Sequence, residues 1–184
     1  MSAVKLIPAS GGGSVSLAPP NSTSGADVTI TMPTASQGLG KILQVVQNVK
    51  LDTASTNSTS FVDTGLSQAI TPSSSSSKIL CTANIYSSSP NMVVYFNLVR
   101  GSTNIFQPSG SATNSASTIL WVNSNFLIRH TTQFLDSPNT TSAITYKVQY
   151  AINNSSYSVF INRNVQGSDD YYGTSSLTLM EVAA

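Results

Sequence analysis

The chain has 184 residues, of which 8% are charged, and a formal net charge of +1; about a quarter charged is usual in a soluble domain. This balance excludes the basic stripe with which nucleic-acid binders meet phosphate, and no run approaches the roughly 18 apolar residues of a membrane-spanning helix. Polarity comes instead from 33 Ser, 20 Thr and 15 Asn. These short side chains compete with helical backbone bonds or suit a pleated surface, so the expectation is an all-β chain.

Residues 1–40 are set apart from the rest, and of two readings, a disordered Gly/Ser/Pro-rich leader or an N-terminal β stem, their alternation favours the stem. Two short alternating pieces, 14–17 (SVSL) and 28–32 (VTITM), lie among Gly11–Gly13, Pro19, Pro20 and Gly25. Pieces of this length cannot enclose a core alone, so Val15, Leu17, Val28, Ile30 and Met32 are expected to serve attachment. The N-terminus carries Lys5 but no long apolar run before Gly11, and no signal peptide is expected.

Residues 41–184 read as the folded knob, with short strands and turn-rich spacers. Residues 41–51 (KILQVVQNVKL) predict a strand, and 61–70 predict another with a bulge at Gly65. After the serine run 73–77, residues 78–86 place Ile79, Cys81, Ala83 and Ile85 on one face. Cys81 is the single cysteine, which rules out an internal disulfide and suits a small buried hydrophobe.

A turn is expected at 87–91, leading into 92–106 (MVVYFNLVRGSTNIF). Val94, Phe96 and Leu98 point one way; Val93, Tyr95 and Val99 point the other. Apolar residues on both faces demand cover on both, which predicts a contact between copies of the chain. Residues 103–106 predict the returning strand.

Residues 119–128 have an apolar start and finish around 123–125, read as a turn or an irregular crossing, and 129–134 continue outward. Residues 143–152 alternate cleanly, with Ile144, Tyr146, Val148, Tyr150 and Ile152 on one face. A hairpin at 153–156 is expected to lead into 157–161. The last strand, 176–182 (SLTLMEV), sets Leu177 and Leu179 against Thr178, Met180 and Val182. With Val93, Tyr95 and Val99, Met180 and Val182 complete the expected contact between copies of the chain. Some eight or nine short strands at this spacing predict an antiparallel β-sandwich.

Chemistry is sparse. His130 is the only histidine, which rules out a multi-histidine metal site in one chain; beside Asp136 it forms no serine-hydrolase elbow. The run Asp169-Asp170-Tyr171-Tyr172 is the candidate ligand contact, since tyrosines offer an apolar plate with a polar tip. Calcium there would need oxygen ligands that the sequence does not locate. Neither catalysis nor a cofactor is expected.

Three segments, SVSLAPPNSTSGADVTITMPTAS, SFVDTGLSQAITPSSSSSKILCTANIYSS and SSLTLMEVAA, together with RGSTNIF and FLDSPNTTSAITYKVQY, resemble a family of tailed-phage virion proteins. The family is common in phages of cyanobacteria and pairs a short N-terminal β segment with a C-terminal β-sandwich. The resemblance implies a homotrimeric jelly-roll knob on a stem, made in the host cytoplasm and carried on the virion. As a capsid decoration protein its partner would be the major capsid protein; as a tail fibre tip, a tail protein and a host surface glycan.

Overall fold

The computed structural model describes residues 4–6, 15–17, 41–109, 115–165 and 171–184, without the side chains of 4–6, 15–17 and 123–125. The chain falls into two units, Met1–Gln37 and Gly38–Ala184. In the first, β1 (Val4–Leu6) pairs antiparallel with β2 (Val15–Leu17). The alternation of 14–17 matches β2; the second expected piece, 28–32, lies outside the described residues.

The second unit holds β3 (Ile42–Lys50), β4 (Ala54–Thr56), β5 (Val62–Ile70), β6 (Lys78–Arg100), β7 (Thr103–Ile105), β8 (Thr118–Asp136), β9 (Ile144–Ile152), β10 (Val159–Ile161) and β11 (Ser175–Val182). All pair antiparallel in one sheet that rolls into a nearly closed, barrel-like form. The edges β3 and β5 approach each other, with Asn48 Nδ2 donating to the Ser67 carbonyl at 2.8 Å.

The 23-residue strand β6 is the axis. On one flank β8 runs along it from Ile79↔Asp136 to Phe96↔Thr118, and β7 joins at Leu98↔Ile105. On the other flank lie β11, β10 and β9 in succession. These in turn carry β3, β4 and β5. One half-sheet thus has the order β3-β11-β6-β8, and the other β5-β9-β6-β8.

Two expectations are corrected here. Residues 87–91 do not end a strand. They are a bend within β6, with register shifts on both sides of Ser89 and a φ of 53° at Asn91. Ser87 and Ser88 still pair there with Ile161 and Phe160 of β10, so the ladder continues through the bend. Nor do β9 and β10 form a hairpin: β10 pairs with β4 and β6, antiparallel to β6 as β9 is. The turn at 154–157 offsets the chain along the same flank instead of reversing it.

The core fills the space between the half-sheets. Ile79, Cys81, Ala83 and Ile85 enter from one end of β6, and Val94, Phe96 and Leu98 from the other. Tyr146, Val148, Tyr150 and Ile152 of β9, with Leu177 and Leu179 of β11, complete it. Burying each large apolar side chain contributes about 1.5–3 kcal/mol. The expected bulge at Gly65 is present, with φ 84° and a register shift between Asp63 and Ser67.

At one end of the roll a polar clamp joins the halves. Arg100 Nη1 donates to Asp136 Oδ1 and Oδ2 at 3.0 and 2.7 Å, and the Tyr146 hydroxyl donates to Oδ2 at 2.7 Å. Asp136 is buried, so removing the cation strands a desolvated carboxylate, whereas removing the phenol takes away one of several donors. Arg100→Met should therefore cost about 3–5 kcal/mol and Tyr146→Phe about 1–2 kcal/mol, an order that urea unfolding of the two variants measures.

Candidate functional site

The outer face of the half-sheet β3-β11-β6-β8 carries the features that face solvent. Strand register sets its side chains in rows. The first row, Val45–Met180–Leu80–Leu135, is wholly apolar, with Val45 54% and Leu135 44% exposed. The second, Gln47–Thr178–Thr82–Gln133, is polar and self-satisfied: Gln47 donates to Thr178 Oγ1 at 2.6 Å and Gln133 to Thr82 Oγ1 at 3.0 Å. The third holds Val49, itself exposed, with Ser176, Asn84 and Thr131, and beyond it Tyr86 pairs with Arg129.

At this far end lies a groove of about 480 Å³, lined by Asn84, Tyr86, Arg129, Tyr172, Gly173, Thr174 and Ser176. Its floor is the sheet itself; its wall is Tyr172, Gly173 and Thr174, just before β11. Asn84 Oδ1 accepts from Thr131 Oγ1 at 2.7 Å and from Arg129 Nη2 at 3.1 Å. The amide is therefore fixed by the sheet, and the guanidinium is fixed by the amide.

The wall is pinned by Asn162, fully buried at a φ of 60°. Its amide donates to the carbonyls of Lys50 and Asp52 at 2.8 and 3.0 Å, and its Oδ1 accepts from the Ser175 hydroxyl at 2.6 Å. Its backbone N–H donates to the Tyr86 carbonyl, and its own carbonyl accepts from Gly173. Gly173 then lies flat on the Tyr86 ring; a Cβ there would fall 2.6 Å from ring carbon Cγ. The bridge Arg163↔Tyr172 and the bond from Asn164 N–H to the Tyr171 carbonyl continue the wall.

Of the candidate ligand contacts, Tyr172 lines this groove and is 64% exposed. Tyr171 is exposed and meets the edge of Phe126, with ring centroids 5.9 Å apart. Asp169 and Asp170 lie outside the described residues, as do Val28, Ile30 and Met32; Val15 and Leu17 stand in β2. The five candidate interface residues do not form one patch. Met180 and Val182 belong to the apolar end of the face described above. Val93, Tyr95 and Val99 lie on the outer face of the other half-sheet.

There the chain covers part of its own surface. Tyr95 is buried with Ala116 and Ala151, with Phe61 and Val93 against them, and Val99 is buried too. The premise that a second copy must shield both residues is corrected to that extent. The apolar side chains left in solvent on this face are the cross-strand partners of Val93 and Tyr95, namely Trp121, 69% exposed, and Ile119.

Sequence reasoning missed Asn84, Tyr86 and Arg129. Asn84 and Tyr86 did carry a signal, being the polar alternates of a strand whose other face is apolar. Their meeting with Arg129 depends on a register no single strand reveals. No protein-family model matches the chain, and no curated protein matches it.

His130 is not on the surface. It is 8% exposed, its ring 4.3 Å from that of Phe96, and neither ring nitrogen has a hydrogen-bond partner among the described residues. Burial disfavours the imidazolium and takes its pKa from 6.5 down to about 4. Below pH 6.5 the unfolded chain gains a proton that the folded chain refuses, so stability falls from there to about pH 4. The loss approaches roughly 3 kcal/mol. His130→Leu should flatten the pH dependence of the urea midpoint across this window. Glu181 adds its own loss lower down. Burial opposes its charge, but donation from Gln44 and Ser73 outweighs burial and holds its pKa at about 2, so stability present above pH 4.5 drains away as pH approaches 2.

Proposed function

We propose that this chain is a structural, non-enzymatic virion protein, a homotrimeric decoration protein that binds and stabilises the surface of a phage capsid. The observation that carries the reading is the exposed row Val45–Met180–Leu80–Leu135 on a chain poor in charge. A contiguous apolar face left in solvent marks an interaction surface. Low charge gives little colloidal repulsion, which suits a protein held in an assembly. The resemblance of the segments quoted above to tailed-phage virion proteins supplies the particle.

A second patch, Trp121 and Ile119 beside Val93, stands on the other half-sheet. Two unlike patches on one chain suit a head-to-tail contact, which closes into a ring when the rotation allows. The half-sheet orders β3-β11-β6-β8 and β5-β9-β6-β8 support a jelly-roll reading of the rolled sheet, with β6 and β8 each serving both halves. In this reading the N-terminal unit, with Val15, Leu17, Val28, Ile30 and Met32, engages the major capsid protein. Three such attachments on one trimer multiply modest contacts.

A second reading, a tail fibre tip that adheres to a host surface glycan, is favoured by one observation, the polar groove with Arg129 and Tyr172. The two separate by experiment. A decoration protein binds expanded, undecorated capsids and raises their melting temperature; a tip leaves capsids unchanged and adheres to host cells.

The trimer has its own test. Val45→Asp and Trp121→Asp each alter a side chain more than half exposed, so the fold should survive with its melting temperature nearly unchanged. Light scattering should give a trimer mass for the wild type and a monomer mass for each variant. Mixing the variants should restore one intact contact and give a dimer. Trimers from both single variants would remove these patches from the interface.

A further inference from the structure

We propose that the groove beneath Tyr172 binds a saccharide bearing a carboxylate, with Arg129 receiving the acid and Tyr172 the apolar face of the sugar ring. The inference deepens the tail-tip reading by naming a site and a ligand chemistry, but the groove lies within one chain and does not depend on the trimer. Its volume, about 480 Å³, falls within the roughly 300–1,000 Å³ of small-molecule sites.

The lining decides the ligand. Asn84, Thr174 and Ser176 offer neutral donors and acceptors, as a polyhydroxylated ligand requires. Tyr172 supplies a largely exposed aromatic plate. Among the described residues no carboxylate lines the groove, and none forms an ion pair with Arg129. The formal charge that the described lining turns toward the ligand, that of Arg129, is therefore positive. A guanidinium fork matches a carboxylate in two parallel hydrogen bonds.

The site is also built before any ligand arrives. Asn84, itself held by Thr131, orients Arg129. The Asn162 network and the contact of Gly173 with the Tyr86 ring fix the wall from which Tyr172 projects. Groups whose positions are already set lose little entropy on binding.

The test is calorimetry on the full chain with two probes, a galacturonic acid oligomer and a neutral galactose oligomer of equal length. The acidic oligomer should bind at least about tenfold more tightly, an advantage of the size charge-assisted hydrogen bonds supply, and the advantage should shrink with added salt. Arg129→Gln should bring the acidic probe to the neutral level, and Arg129→Lys should recover only part of the difference. Tyr172→Ala, a change at an exposed side chain, should weaken both probes and leave the melting temperature unchanged. Equal affinity for the two probes, no binding of the acidic one, or indifference to Arg129→Gln would each overturn the proposal. Adhesion to host cells by a protein that ignores the acidic oligomer would leave the tail-tip reading standing and remove only this one.

Discussion

The fold depends on β6 keeping its inward and outward faces through a bend. Before the bend the inward residues are odd-numbered, Ile79 to Ile85; after it they are even-numbered, Val94 to Leu98. A strand's side chains alternate with a period of two, so a continuous strand cannot make that exchange without a break in register. The break is visible against β8: between Ser89↔Ser124 and Met92↔Val122, β6 advances three residues and β8 two. One unmatched residue is what a bulge supplies, together with a local kink and stronger twist. The same irregularity that turns the strand from one half-sheet to the other therefore also re-aims its side chains into the shared core.

The opposite flank of β6 solves a different problem. From Ile161↔Ser87 to Ser176↔Asn84, β6 spends three residues where its partner spends fifteen. Near the end of that surplus, Tyr172 and Gly173, placed just before β11, make the wall of the groove. A wall made of surplus chain would be loose without anchors, and the anchor is buried and polar. Asn162 in the left-handed region answers two carbonyls from the chain just after β3 and one hydroxyl from β11. Asparagine tolerates that backbone better than most residues, and a fully satisfied buried amide specifies one arrangement where an apolar side chain would accept several.

The sequence made strands legible where alternation was uninterrupted. Residues 143–152 and 176–182 coincide closely with β9 and β11, and the inward sets Ile79–Ile85 and Val94–Leu98 were readable from period two alone. Alternation failed wherever the chain changed direction without stopping. Ser87–Asn91 and Asn154–Tyr157 have turn composition, yet the first is a bend inside one strand and the second a step along one flank. Composition reports that backbone geometry changes; it does not report by how much. The groove was illegible for a related reason. Tyr172 stood out as one of a tyrosine pair, but Asn84 and Arg129 become neighbours through the β6–β8 register, which the bulge shifts.

On the proposed reading the two ends of the outer face meet different partners, and the row between them keeps them separate. An apolar row directly beside an arginine would bury that charge against any hydrophobic partner, at a desolvation cost of several kcal/mol. Gln47, Thr178, Thr82 and Gln133 stand in between, and their side chains bond to one another across the strands. A row that satisfies itself offers a partner little to gain and little to disrupt. An apolar contact centred on Val45 and Leu135 can therefore end at that row and leave Arg129 solvated, so that assembly through one end of the sheet and ligand binding at the other need not compete.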